Sequence, residues 1–422
     1  MKQVPSEIVH HKKSERGQAL ILIVFSIIGL LGMSALAIDG SSAYVDRRKA
    51  ETAASAAALT ASITRIQGGN WRSAALATAK TNGYNNDGIT NTVELNTPPI
   101  DGPYIGNSEY IQVIITSYLK TYFGPVIGVS QTINKAQAVS QSKPAEYGQM
   151  FDGYTLVSLA PHSDCKDKIA FEIHGEATIK LEGGGLFINS DNTKCALVQY
   201  GSGSIRVQDD SPITVVGGAD IQKPKLITPF PIQTGAPPIP YPPAFQMPKV
   251  GCGDQVAEIK ELDETSMTPG SWGSEDFPPE GVTKLESGTY CLDGDFILKT
   301  GEKLIGEGVL FIMKEGKIKI SAGAEIQIGA SNVGVDGGLL IYMPIKNRNM
   351  LSLNGNFNSS YSGTILAPGA DIHINGLDSH AGYHCQIIGY YIEVDGQSDT
   401  LIKYKDEQNY DAYKMPEVIL SQ

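Results

Sequence analysis

Residues Gly17 to Ile38, GQALILIVFSIIGLLGMSALAI, carry no charged side chain over 22 positions. A run that long and apolar crosses a bilayer as one helix, because about 20 residues span the hydrocarbon core. Lys2, Lys12, Lys13 and Arg16 precede it, and most of the 422-residue chain follows it. A cleaved signal peptide is the competing reading, with Ser34-Ala35-Leu36-Ala37 as the small-x-small site. Its apolar region is usually only about 7–15 residues, which favours a retained span.

Positive charge decides orientation, and it is denser before the span than after it. The expectation is a single-pass protein of the cell membrane, with residues 1–16 cytoplasmic and the large C-terminal region extracytoplasmic. The net charge of −12 excludes nucleic acid as a partner, since phosphate binding needs clustered Lys and Arg. The two basic clusters, Lys12-Lys13-Arg16 and Arg47-Arg48-Lys49, bracket the span instead. With 46 glycines, 23 prolines and 18% charged residues, the remainder suits turn-rich β structure.

An alanine-rich stretch, residues 39–66, follows without a proline. Its composition favours helix, so a helix from Gly17 to Ile66 would run about 75 Å at 1.5 Å per residue. Ala50, Ala53, Ala54, Ala57, Ala58 and Ala61 form a small-residue face, fit for close packing on the chain's own sheet or on other subunits. Asn82-Gly83 and Asn85-Asn86-Asp87-Gly88 signal turns. Strands are expected at Thr92 to Leu95, Tyr110 to Ser117 and Val129 to Val139. Residues 39–143 thus read as a helix followed by a small sheet.

These residues carry a resemblance. Glu15-Arg16-Gly17-Gln18-Ala19, the span, Asp39-Gly40, Tyr44, Arg47-Arg48 and Ala53-Ala54-Ser55-Ala56-Ala57-Ala58-Leu59 resemble the N-terminal region of TadG-like and TadE-like pilus-assembly proteins. Gly102-Pro103-Tyr104, Gly106-Asn107, Tyr110-Ile111-Gln112-Val113, Thr121-Tyr122-Phe123 and Ala136-Gln137-Ala138-Val139 look like the same group. The resemblance implies a membrane-anchored accessory or pilin-like component of a tight-adherence (Flp) pilus or secretion apparatus. Type IV pilins carry a glutamate five residues after the processed glycine, and Leu22 stands there, so assembly as a major pilin is not expected. Some relatives have a metal-binding DxSxS motif. Asp39-Gly40-Ser41-Ser42-Ala43 lacks its last serine.

From about 150 onward the periodicity changes to two, as in Ala177 to Leu181, Lys317 to Ile320 and Glu325 to Ile328. A motif of the form apolar-x-apolar-Asn/Asp-Gly recurs at Leu351–Gly355, Ile372–Gly376 and Ile392–Gly396, its glycines 21 and 20 residues apart. Phe171–Gly175 and Tyr290–Gly294 are relatives outside that series. Leu339 to Tyr342, Gly363 to Leu366 and Gln386 to Gly389 form a second recurring run. A period near 20 with strand and turn content predicts a mainly-β right-handed parallel β-helix, or β-solenoid. An antiparallel β-sandwich with Asn-Gly and Asp-Gly hairpins is the alternative. The region also resembles β-helical surface modules of bacterial adhesins. Solenoid pieces are expected at 150–222 and 251–405, a C-terminal tail at 406–422, and between the pieces a stiff Pro-rich linker at 223–250 that either separates them or wraps over the side of one. Nine prolines lie between Lys223 and Pro248.

Five cysteines show no CxxC spacing. Outside the cytoplasm, the pairs Cys165–Cys195 and Cys252–Cys291 are the disulfide candidates, with Cys385 left over; five reduced, buried thiols are the alternative. His373, His380 and His384, near Asp371, Asp378 and Cys385, are weak metal candidates without a recognised zinc spacing. Asp371 and Glu393 suit paired carboxylates on neighbouring coils, yet single charges on a solvated face are ordinary. No catalytic residue and no cofactor are expected, and the chain is not read as an enzyme. The partners expected are the lipid bilayer, other pilus-assembly proteins, and surface glycans or a substratum. A membrane-tethered glycan-binding or glycan-cleaving β-helix is the second functional reading.

Overall fold

A computed structural model describes residues 16–260, 263–375, 382–397 and 399–421. The chain divides into two compact units, one of residues 1–145 and 416–422, the other Glu146–Met415.

In the first unit, α1 (Arg16–Ile66) is one unbroken helix of 51 residues. Its large apolar side chains from Leu20 to Ile38 are exposed. By length and composition this part can cross a membrane. Burial begins beyond it, where Ala50, Ala53, Ala54, Ala57, Ala58 and Ala61 are all 0% exposed. They pack with Ala75 and Ala79 of α2 (Trp71–Thr81) and with Val93, Ile111, Val113, Ile115, Ala136 and Ala138 of the sheet. The small-residue face is therefore taken up within the chain. Side chains of one or no carbon beyond Cβ let the helix axis approach the strands closely.

That sheet is antiparallel and consists of β1 (Asn91–Asn96), β2 (Tyr110–Lys120), β3 (Gln131–Lys143) and the strand Glu417–Ser421. The last strand corrects one expectation. Residues 406–422 are not a free tail, because Glu417–Ser421 pairs with Val139 to Lys143. It satisfies the open edge of β3, which would otherwise present unpaired N–H and C=O groups.

In the second unit, described residues form three large sheets of eleven, ten and eight strands and one two-stranded sheet. Nearly every pairing is parallel, which excludes the antiparallel sandwich. Successive strands visit the sheets in rotation: Leu186–Ile188 in the ten-stranded sheet, Leu197–Gln199 in the eight-stranded, Ser204–Val207 in the eleven-stranded. Ile213–Val215 then returns to pair with Leu186–Ile188. The later half repeats the order, as in Thr364–Ala367, Ile372–Asn375 and Gly382–His384.

The order of strands along the stack differs from their order in sequence. Ile387 pairs with Leu156, Ile392 with Phe171 and Asp399 with Thr178. The last rung of the later half thus lies on the first rung of the earlier half in all three sheets. The chain enters mid-stack, climbs to one edge at Gln233–Thr234, and resumes at the opposite edge with Gly270–Trp272. The chain also enters and leaves this unit side by side, through the pairing of Glu146–Gln149 with Asp411–Lys414.

The Pro-rich segment makes the return. Ten strands at about 4.8 Å spacing rise about 43 Å, and the 21 residues from 235 to 255 reach about 65 Å in extended form. It runs packed on the sheet, so of the two expected arrangements it is the one that wraps over the side. Ile239, Tyr241, Phe245, Met247 and Val250 lie against Val157, Phe187, Leu310, Ile312, Leu339, Leu366 and Ile388. Asn189 pins it with two bonds, its Nδ2 donating to Ile239 O at 2.9 Å and its Oδ1 accepting from Ile239 N at 2.7 Å. Tyr241 Oη donates to Pro368 O at 3.1 Å. This cover explains a sequence contrast. Ten-stranded members such as Val309–Met313 (VLFIM) are buried on both faces, while eight-stranded members such as Ile392–Asp395 (IEVD) alternate.

Two disulfides stand in this unit, Cys165–Cys195 and Cys252–Cys291, with Cα separations of 5.4 and 6.0 Å. The second ties the far end of the Pro-rich strap to the strand Gly288–Leu292.

Candidate functional site

The outer face of the eight-stranded sheet carries a ladder of polar side chains. In register, Lys319, Ser352, His373, Glu393 and Glu172 stand side by side. Parallel pairing sets their spacing at about 4.8 Å, and alternation turns all of them away from the core.

Glu393 is held between two imidazoles. Its Oε1 lies 2.9 Å from His174 Nε2, and its Oε2 lies 3.1 Å from His373 Nδ1. The His174 ring stacks on Tyr200 with centroids 5.0 Å apart and 7° between planes. Burial, and then the neighbouring Glu172 carboxylate, push the Tyr200 hydroxyl up to about 12. Asp395 lies at the corner beside them, with its Oδ1 buried and unpartnered. Ligand atoms of His174, Glu393 and Asp395 all lie within 4.8 Å of one another. One imidazole and two carboxylates at that spacing suit a divalent cation. His373, on the other side of Glu393, completes an imidazole–carboxylate–imidazole row with His174.

A second cluster sits where this face meets the strap. Lys168 Nζ is 2.8 Å from Asp371 Oδ2 and 5.1 Å from the centre of the Tyr391 ring. Tyr390 packs against Tyr391 at 4.7 Å and against Tyr241 at 5.0 Å. With Arg348 and Gly369 these residues line a cavity of about 260 Å³. Aromatic planes beside one carboxylate and two cations provide stacking and hydrogen-bonding surface for a polyhydroxylated or acidic ligand.

The sequence candidates are redistributed. His373 belongs to the Glu393 cluster, whereas His384 lies in the strand Gly382–His384 of the eleven-stranded sheet. His380 and Asp378 lie outside the described residues. Cys385 is free and fully buried, and burial raises its thiol above the usual range. Asp371 and Glu393 share an outer face but have separate partners, Lys168 for one and the two histidines for the other. Sequence reasoning missed His174 and Asp395. They occupy the same place before the motif glycine, in Phe171–Gly175 and Ile392–Gly396, and aligning those two motifs would have set them side by side.

In the first unit three charged residues of α1 lie together past the span. Arg47 and Arg48 both reach Glu51, at 3.3 and 3.8 Å. With Lys135, Gln137 and Leu420 they border an open groove.

Residues 17–64 match a family model described as putative Flp pilus-assembly TadE/G-like. The match covers the span and the alanine face, and ends before β1. No curated protein and no solved structure matches the chain.

Proposed function

We propose that this chain is a membrane-anchored, extracytoplasmic structural or accessory component of a tight-adherence (Flp) pilus or secretion apparatus, acting in assembly or surface attachment. The observation that carries the reading is the family match over residues 17–64, which falls on the helix bearing the candidate span. In this reading α1 anchors the protein, and the first unit is a pilin-like helix laid on a small sheet. The second unit is a parallel β-helix that presents an extended acidic surface to assembly partners or a substratum. The threefold rotation of strands among sheets supports that fold. The role is non-catalytic and needs no cofactor.

The test is topology in producing cells. Protease added to intact spheroplasts should remove Glu146–Met415 while the anchor stays in the membrane fraction. Cleavage only after lysis would overturn the extracytoplasmic placement.

A second reading, a tethered glycan-binding or glycan-cleaving module, is favoured by one observation, the cavity of Tyr241, Tyr390 and Tyr391 beside Lys168, Arg348 and Asp371. A glycan array and a lyase assay on the full chain in detergent separate the two. Absence of binding and turnover leaves the structural role.

A further inference from the structure

The turn between β2 and β3 is apolar, exposed and fixed at the end of the span. No charged residue occurs between Lys120 and Lys135. Within that interval Tyr122 is 78% exposed and Val126 88%, and Phe123, Val129 and Ile133 are also exposed. A monomeric domain standing in water does not gather such side chains on one tip without a use for them.

The tip is a rigid object. Thr121 N donates to Ser130 O at 3.2 Å, and Thr121 Oγ1 donates to Val129 O at 2.6 Å. A short 3-10 turn, Gly124–Ile127, closes it. At Gly124 a Cβ would fall 2.2 Å from Val129 O, so only glycine lets the two sides approach. Side chains on a loop closed this tightly have to point outward.

Its position is set by Asp39, the residue that directly follows the span. Asp39 Oδ1 accepts from Tyr122 N at 2.9 Å, and Oδ2 accepts from Phe123 N at 3.0 Å and Gly124 N at 2.8 Å. A turn further along the helix, Asn134 Nδ2 donates to Ala43 O and Asp46 Oδ2. The tip is thus held against α1 where its apolar run stops. Ile89, 79% exposed, is at the same end of the sheet, beside the Tyr118 N to Thr90 O bond.

The geometry points to this tip as a second membrane contact: Tyr122, Phe123, Val126 and Val129 enter the headgroup and acyl boundary of the bilayer that α1 crosses. The inference rests on reading α1 as the anchor. A span that ends at Ile38 puts Asp39 at the boundary, and the tip bonded to Asp39 goes there with it. Tyrosine and phenylalanine with aliphatic neighbours are the side chains such a boundary favours. A single helix leaves tilt and rotation loose, and a second contact on one side fixes both.

Depth-dependent fluorescence quenching tests this with the full chain in vesicles of phosphatidylethanolamine and phosphatidylglycerol. In a Trp71→Phe, Trp272→Phe background, one tryptophan is placed at a time by Val126→Trp, Leu30→Trp or Ile105→Trp. Ile105 lies before β2, at the opposite end of the sheet. Brominated acyl chains should quench positions 126 and 30 and spare 105, with 126 quenched most by bromines nearest the headgroups. Quenching at 30 without quenching at 126 overturns the inference and leaves the anchor standing. Loss of quenching at 30 overturns the anchor reading itself. Emission at 126 that is shielded only as protein concentration rises assigns the tip to contact between copies, and also overturns the proposal.

Discussion

His174 Nε2 lies 2.9 Å from Glu393 Oε1 although 219 residues separate them in sequence. They meet because the strand Phe171–Ile173 lies directly beside Ile392–Asp395. Lys180 and Asp399, 2.6 Å apart at the same separation in sequence, mark the same seam in the eleven-stranded sheet. Two stretches that follow one another in the chain are therefore stacked in reverse order, and the Pro-rich strap connects their outer ends.

Cutting the strap should leave the unit assembled. With a protease site inserted between Pro242 and Pro243, cleavage yields two fragments that no disulfide joins, because Cys165–Cys195 lies wholly in the first and Cys252–Cys291 wholly in the second. Parallel pairing in three sheets holds the seam, so the fragments should co-elute in native size exclusion and part only in denaturant. Separation under native conditions would show that the strap, and not the seam, holds the stack.

Two stacked tyrosines in the core should respond oppositely to loss of the hydroxyl. Tyr361 and Tyr383 have centroids 4.9 Å apart. Tyr361 Oη donates to Asn354 O at 2.7 Å, whereas Tyr383 Oη is buried without a partner. Tyr361→Phe strands a carbonyl and should cost about 1 kcal/mol, while Tyr383→Phe removes an unpaired group and should be neutral or stabilising by about 1 kcal/mol. Urea midpoints at unchanged m-value report both, and equal losses would contradict the assigned bonding.

The two disulfides should differ in what their loss releases. They close loops of 30 and 39 residues in sequence separation, for which chain entropy predicts up to about 4 kcal/mol each. Removing Cys252–Cys291 with a double Ser replacement also frees the end of the strap from the ten-stranded sheet. Limited proteolysis should then cut first between 235 and 251, ahead of global unfolding. The Cys165 and Cys195 double replacement should lower Tm without exposing the strap. Identical cleavage patterns in the two variants would show that Cys252 does not pin it.

Some of this was legible in the sequence because it is local. The uncharged run, the alanine face and the alternating strands each declare themselves within a dozen residues. Among the described residues, the motif glycines Gly175, Gly355 and Gly396 follow strands of one sheet, and Gly175 and Gly396 both take positive φ, 68° and 110°. Phe171–Gly175 stood outside the 20-residue series only because its neighbour in space, Ile392–Gly396, comes later in the chain. Tyr290–Gly294 is a different case, since Gly288–Leu292 lies in the ten-stranded sheet. The seam, the return of Glu417–Ser421 to β3 and the pairing of Glu393 with His174 were not legible. Each depends on pairing between segments far apart in the chain, which no single window of sequence encodes. The strap was half legible, since proline content predicts extension, while its docking depends on which sheet has both faces apolar.

The Asp39 tie should give the β2–β3 turn a pH response of definite sign. Partial burial acts to raise the Asp39 carboxyl, and bonds from the amides of Tyr122, Phe123 and Gly124 lower it; the bonds win, and its value falls below the ordinary 3.8. A carboxylate whose folded value is depressed adds stability that is fully present above the unfolded value. That stability fades as pH falls through the folded one. The amides of residues 122–124 should therefore keep constant hydrogen-exchange protection factors from pH 7 to about pH 4, and lose protection below that. In Asp39→Asn only one side-chain oxygen remains to accept, without charge, so protection should drop severalfold at pH 7 and become nearly independent of pH. Protection in that variant with the wild-type profile would mean that the turn is held by its internal Thr121 bonds and not by the helix.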